Sequence, residues 1–470
     1  GTFAFAVTNL KGNVDASGID GNGTGRVSVA AASGVGFDIS VIGGGGNDTI
    51  TGGAGADSIS GAAGSNSLTG GAGADVFTIA NSGSSVDSIT DLALNNTSDV
   101  VVNSGMVEAT LQGNWVATNQ TTNNSGSYAS FVINSSGKNV DLSLASGNGY
   151  KVVSSGAASV IGSSAGDYVQ VGTGAAYGNV TATGGAGNDI YYALAGSITI
   201  TDLGNGSDNF TIEGFGAVDA TVTNNWISGG GGWATHNQAA VSSAVIRVGS
   251  NYTVDLSADN YANGFTFLST GTGAVTGSNT AGSGDVFENT SGSATFTGLG
   301  GLDTFRSITD TMTISDLAAG GLQEVVTNSA AASVVATLAG NWVATSETKN
   351  LGDYTNFVIT TSGWSANLGG AAVDVVGSAT QGYTITNIGA AASLTGSAAA
   401  DSITGGSGND TIAGGAGADY ITVGAGADTI VINAVAGSSS DSNNAHRDTF
   451  NDLSAVDKIQ INASEVNDFS

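Results

Sequence analysis

Residues 43–78 divide without a gap into four nonapeptides, GGGGNDTIT, GGAGADSIS, GAAGSNSLT and GGAGADVFT. Residues 396–431 divide into four more, GSAAADSIT, GGSGNDTIA, GGAGADYIT and VGAGADTIV. A short fixed period dictates stacking, because one unit cannot bury its own apolar residue and must lean on the next. Position eight is always large and apolar: Ile50, Ile59, Leu68 and Phe77, then Ile403, Ile412, Ile421 and Ile430. Position six is Asp48, Asp57, Asn66 and Asp75, then Asp401, Asp410, Asp419 and Asp428. Six residues of Gly, small side chains and Asp predict a turn, since Gly admits positive φ and close backbone approach. The three β-prone residues that follow predict a short strand with one inward side chain. Two units complete a coil, so equivalent turns recur every 18 residues. Asp48 then stacks on Asn66, Asp57 on Asp75, Asp401 on Asp419, and Asp410 on Asp428.

Carboxylates stacked in this way repel one another. A hard dication taking oxygen from both, and from neighbouring carbonyls, removes the conflict. Calcium suits such a site better than magnesium, because its coordination shell tolerates irregular geometry. Zinc and copper lack thiolate or imidazole ligands in these turns. The pattern resembles G-G-x-G-x-D-x-U-x, the nonapeptide of haemolysin-type calcium-binding (RTX) proteins. The resemblance implies a parallel β-roll that folds when calcium arrives outside the cell. Two departures stand out. Asn66 removes one charge and is expected to weaken its site, and Ser397, Ala398 and Ala399 mark a degenerate end turn.

A longer repeat overlies the nonapeptides. MVEATLQGNW (106–115), AVDATVTNNW (217–226) and SVVATLAGNW (333–342) place Trp115, Trp226 and Trp342 at matching positions. Each is followed by a strand-like segment: YASFVI (128–133), VSSAVI (241–246) or YTNFVI (354–359). Each is preceded by an Asp-Leu turn: ITDL (89–92), ITDL (200–203) or ISDL (314–317), with a fourth in NDLSAVDKIQI (451–461). Between the clear blocks lie eroded ones. GGAGNDIYY (184–192) carries Asp189, while Asp285 and Asp303 keep the 18-residue spacing.

The expected architecture is all-β: parallel β-roll or β-solenoid calcium-binding blocks alternating with Trp-led β modules in a tandem array. Its segments are a partial module (1–42), a roll block (43–82), module 1 (83–161), a degenerate block (162–195), module 2 (196–276), a degenerate block (277–306), module 3 (307–395), a roll block (396–433) and a C-terminal β segment (434–470). The Trp-led segments are expected as separate β modules rather than continuations of the roll. NVDASG (13–18) resembles the start of NVDLSLASG (139–147), so the chain is expected to begin inside a module, as a processed chain or a piece of a longer parent. The expected metal ligands are Asp48, Asp57, Asn66, Asp75, Asp189, Asp285, Asp303, Asp401, Asp410, Asp419 and Asp428, and the expected ion is Ca2+.

Composition narrows the function. The 470 residues include no Cys, which excludes disulfides and thiolate chemistry. They include no Pro, where average usage of about 5% would give roughly two dozen. A net charge of −29 argues against nucleic acid, whose phosphates need Lys and Arg. No apolar run reaches the ~18 residues that membrane insertion as a helix requires. The two histidines, His236 and His446, stand alone, so no H-E-x-x-H zinc site forms. One G-x-S-x-G match, GSSAG (162–166), is a chance product of a Gly- and Ser-rich chain, and no helical pattern follows it.

No enzyme is therefore expected. The expected role is a calcium-gated structural protein, outside the cell or on its surface and exported by type I secretion. It self-associates as a surface layer or extracellular filament, with cell-surface polysaccharide as a further candidate partner. The RTX surface-layer proteins that it resembles share its acidity and its lack of Cys. The alternatives are a calcium-dependent adhesin or biofilm matrix protein, or the non-catalytic part of a larger secreted enzyme or toxin.

Overall fold

The computed structural model describes residues 4–19, 25–32, 36–173, 177–228, 235–237, 244–249, 251–259, 263–279, 284–320, 323–372, 382–434 and 447–463. The chain forms two compact units, Gly1–Ala239 and Ala240–Ser470, and each is a parallel β-solenoid. Among the described residues, helix is confined to short 3-10 turns such as Tyr128–Ser130 and Tyr354–Asn356. None of it is long and apolar enough to cross a membrane.

In the first unit one ladder climbs from Ala4–Leu10 through Arg26–Ala31, Thr49–Gly53, Ser67–Gly71, Asp87–Leu92 and Val107–Leu111 to Phe131–Asn134. It continues through Lys151–Ser154, Tyr168–Val171 and Ile190–Leu203 to Asn209–Val222. Opposite it stand Ser40–Ile42, Ser58–Ser60, Val76–Ile79 and Val100–Asn103. The nonapeptides supply alternate strands of these two faces. Their position-eight residues align one above another: Ile50 opposite Leu68, and Ile59 opposite Phe77. In the second unit Ile403 aligns with Ile421, and Ile412 with Ile430. All eight are buried at 1% exposure or less. Each contributes on the order of 1.5–3 kcal/mol from burial, in a stack only one side chain wide.

The Trp-led segments correct the expectation of separate modules. They are coils of the same solenoid. Val107–Leu111 pairs in parallel with Asp87–Leu92 below and with Phe131–Asn134 above. Trp115–Val116 opens a further ladder that continues through Val140–Asp141 and Ala158–Ile161 to Gly178–Thr183. Meanwhile the face opposite persists through Thr122–Asn123 and Ser146–Gly147. The coil is therefore three-sided for two turns before it narrows again. The second unit does the same where Trp342–Val343 starts the ladder Ala366–Asn367, Ser393–Thr395, Thr411–Ala413 and Thr429–Ala434.

The physical reason is volume. A flat roll holds one medium side chain per strand, whereas a three-sided coil encloses aromatics. Trp115, Phe131 and Tyr150 stack up the interior with ring centroids 6.3 and 5.2 Å apart. Trp342, Phe357 and Tyr383 repeat the arrangement at 6.4 and 5.0 Å. Buried Asn side chains close the corners: Asn103 Nδ2 donates to Asn123 Oδ1 (3.0 Å), and Asn123 Nδ2 donates to the Gly149 carbonyl (2.6 Å).

Candidate metal centre

The position-six acids form ladders along the solenoid. In each, a carboxylate Oδ1 accepts the backbone N–H of the equivalent residue one coil earlier. Asp57 Oδ1 takes Ile39 N (2.8 Å), and Asp75 Oδ1 takes Asp57 N (2.8 Å). Asp48 Oδ1 takes Val27 N (2.7 Å), and Asn66 Oδ1 takes Asp48 N (2.8 Å). Asp401 takes Tyr383 N (2.6 Å) and Asp419 takes Asp401 N (2.8 Å). Asp410 takes Ala392 N (2.7 Å) and Asp428 takes Asp410 N (2.8 Å). The eroded blocks obey the same rule. Asp189 takes Asp167 N (2.8 Å), Asp285 takes Phe265 N (2.7 Å), and Asp303 takes Asp285 N (2.7 Å). All eleven expected ligands thus occupy equivalent rungs.

The second carboxylate oxygen separates two kinds of rung. At Asp48 it accepts Gly44 N (2.6 Å). At Asp167 and Asp401 it accepts the N–H (2.6 Å each) and the hydroxyl (3.0 Å each) of Ser163 and Ser397. Asp285 is served likewise by Ser278. Ser397, a departure from consensus, is therefore a built-in partner for the first acid of its ladder. At Asp57, Asp75, Asp189, Asp303, Asp410 and Asp428, by contrast, Oδ2 is buried and has no hydrogen-bond donor. An orphaned buried carboxylate oxygen is costly and requires a compensating group.

The space beside these oxygens explains the Gly at position one. A Cβ on Gly52 would collide with Asp57 Oδ2 and with the Gly70 carbonyl oxygen, and a Cβ on Gly70 would collide with Asp75 Oδ2. The hollow kept free of side chains is lined by carboxylate and carbonyl oxygen. Among the described residues no three acidic side chains converge on a metal position. Each candidate site is therefore a carboxylate pair supplemented by backbone oxygens, the donor set that calcium accepts and zinc does not.

Electrostatics points the same way. Burial, with Asp99, Asp57 and Asp91 nearby, pushes the Asp75 carboxyl up to about 7. Burial and the charges of Asp167, Asp208 and Asp202 push Asp189 to about 8, and burial with Asp285, Glu324 and Asp316 pushes Asp303 to about 9. Desolvation likewise raises Asp57 and Asp410. A dication at these oxygens restores the ionised form.

Asn66 breaks its pair in a specific way. Its Nδ2 donates to Asp87 Oδ1 (2.9 Å), so an amide hydrogen stands where a second carboxylate oxygen would. Asp57 with Asp75, and Asp410 with Asp428, are the adjacent pairs that offer two orphaned oxygens. Replacing both Asp410 and Asp428 by Ala is expected to lower calcium affinity and loosen the C-terminal roll, as read by isothermal titration and hydrogen exchange. Unchanged binding in that double variant would refute the 18-residue pairing.

Several functional acids escape a reading of the repeat pattern. Asp167 is a full rung. The aspartates of the Asp-Leu turns do more than turn the chain. Asp91 accepts Gly70 N and Gly71 N, Asp202 accepts Gly184 N and Gly185 N, and Asp316 accepts Gly298 N and Leu299 N. The acid that follows each turn is the ladder's last rung, and its carbonyl receives the indole N–H. Trp115 Nε1 donates to Asp99 O (2.9 Å), Trp226 Nε1 to Asp208 O (2.8 Å), and Trp342 Nε1 to Glu324 O (3.0 Å). The signal for the turn acids is the 18-residue step from Gly184 to Asp202 and from Gly298 to Asp316.

GSSAG (162–166) is a repeat turn feeding the strand Tyr168–Val171, without the strand–turn–helix of a nucleophile elbow. His446 lies outside the described residues. The family model for the RTX calcium-binding nonapeptide repeat (4 copies) matches residues 42–77, 161–197 and 395–430. The second match covers the block that looks eroded in sequence. No curated protein matches the chain.

Proposed function

The chain carries RTX nonapeptide repeats, which bind calcium, and on that premise we propose that it is an extracellular structural protein whose folding and self-association are gated by calcium. The observation that carries this reading is extent. Acid ladders recur in both units, so ion binding is distributed along the described chain rather than confined to one block of it. RTX repeat proteins are typically secreted by type I secretion. A chain without Pro or Cys, and with −29 of charge, suits export in an unfolded state. Each calcium then adds two positive charges inside a turn, and mass action couples binding to folding.

Assembly as a surface layer or filament draws support from exposed apolar side chains. Lys458–Ala463 pairs with Thr429–Ala434 and, among the described residues, exposes Ile459 and Ile461. Clustered exposed apolar side chains mark surfaces that associate. The proposal assigns no catalytic role to any residue, and it takes a second copy of the chain as the principal partner.

Electron microscopy of the purified chain, treated with EGTA and then supplied with millimolar calcium, tests the assembly. Ordered sheets or filaments that appear only with calcium are the expected result. Monomeric particles at high protein concentration in calcium would overturn self-assembly and favour the adhesin or enzyme-tail alternatives.

A further inference from the structure

Three acid ladders, one rung before their last, run against a carboxylate that no nonapeptide supplies. Inside the roll, the first glycine of a repeat meets backbone oxygen from the coil above. Gly43 N donates to Ser60 O (2.7 Å), and a Cβ on Gly52 would meet the Gly70 carbonyl. At the last repeat before each of the first three Asp-Leu turns, a side chain takes that place. Asp91 Oδ1 and Oδ2 accept Gly70 N (2.9 Å) and Gly71 N (2.8 Å). Asp202 accepts Gly184 N and Gly185 N (2.9 Å each), and Asp316 accepts Gly298 N and Leu299 N (2.8 Å each).

The same three glycines face orphaned oxygens. A Cβ on Gly70 would strike Asp75 Oδ2. One on Gly184 would strike Asp189 Oδ2 and the Tyr191 hydroxyl, and one on Gly298 would strike Asp303 Oδ2. Asp75, Asp189 and Asp303 are exposed by 1% or less, and their Oδ2 atoms have no donor. Across one glycine, then, a fully buried unpartnered carboxylate oxygen faces a second carboxylate. The arrangement occurs three times among the described residues.

We propose that a divalent cation, calcium by its donor set, binds near the end of each of these ladders, between Asp75 and Asp91, Asp189 and Asp202, and Asp303 and Asp316. These sites lie outside the pairing of consecutive nonapeptides, because one ligand of each comes from the Asp-Leu turn. The inference rests on the calcium reading of the ladders and extends it. At these ends a carboxylate stands where inner turns present a neutral carbonyl. At the middle ladder the Tyr191 hydroxyl, 3.4 Å from Asp202 Oδ1, adds a further oxygen.

The test uses the full chain, with 45Ca equilibrium dialysis for stoichiometry and Tb3+ luminescence excited through tryptophan for location. Trp115, Trp226 and Trp342 bond to the rung just beyond each end site, so terbium there is sensitised. The variant combining Asp91→Asn, Asp202→Asn and Asp316→Asn keeps an oxygen acceptor for a backbone N–H at each turn. It is expected to bind three fewer calcium ions and to lose most tryptophan-sensitised emission, while retaining the nonapeptide sites. Unchanged stoichiometry and emission in a folded triple variant would overturn the end sites alone. A wild-type chain that binds no calcium would instead sink the calcium reading as a whole. If the triple variant fails to fold, Tyr191→Phe decides the middle ladder. A several-fold weaker terbium affinity at one site is expected, and an unaltered titration counts against the site.

Discussion

Removing calcium at pH 8 is expected to unfold both solenoid units, whereas removing it at pH 5 should leave much of the fold in place. Orphaned carboxylate oxygens stand at Asp57, Asp75, Asp189, Asp303, Asp410 and Asp428. A buried charge without a partner costs several kcal/mol, so without a cation these groups hold protons instead. Asp75, Asp189 and Asp303 are pushed to about 7, 8 and 9, well above the ~3.9 of an unfolded aspartate. The calcium-free folded state therefore binds more protons than the unfolded chain between about pH 4 and 9, and its stability falls as pH rises through that window. The stabilising contribution is complete below the unfolded value and is lost as pH passes each raised one. Calcium reverses the dependence, since its ligands must be deprotonated and acid now competes with the ion. Far-UV circular dichroism and size-exclusion chromatography, with EGTA or millimolar calcium at the two pH values, read this out. A chelated chain equally folded at pH 5 and pH 8 would refute it.

The parts of the site legible in sequence are those that a constant period locates. Asp57 pairs with Asp75, and Asp410 with Asp428, on spacing alone, because a coil of two nonapeptides admits one register and a slip would turn Ile59 and Ile412 outward. Asp285 and Asp303 are legible for the same reason, although the glycines around them have eroded. Sequence reading fails where coil length varies. The steps from Val107 to Phe131, and from Val132 to Lys151, follow no fixed repeat, and the strand Trp115–Val116 has only two residues. Strands so short carry no alternation to read, so the Trp-led coils look in sequence like modules of another kind. The Asp-Leu turns look like punctuation, because their partners are backbone N–H groups of glycines that only stacking brings near.

Trp342→Ala is expected to be the most damaging single substitution in the second unit. The indole is fully buried, packs tilted against Phe357 with ring centroids 6.4 Å apart, and closes the last rung of its ladder through the Glu324 carbonyl. Truncating a buried Trp costs on the order of 3–5 kcal/mol from lost burial and the cavity left behind. The Glu324 carbonyl, deprived of its donor, adds on the order of 1–3 kcal/mol. Trp342→Phe keeps most of the packing and loses the N–H, so it is expected to cost closer to the second figure alone. The consequence is spatially specific. In a solenoid each coil contacts chiefly its neighbours, so stability propagates through interfaces one coil at a time. Trp342 is the interface between the ladder that ends at Glu324 and the aromatic column of Phe357 and Tyr383, whose Tyr383 N–H in turn starts the rungs of Asp401. Its loss should therefore uncouple the two rolls on either side. Hydrogen exchange of the calcium-loaded protein is the direct measurement. In Trp342→Ala, protection should collapse first in the coils around 324–361 while the roll at 396–433 persists as a separate unit. A uniform loss across the whole second unit would instead show that the aromatic coil is one body with the rolls rather than the joint between them.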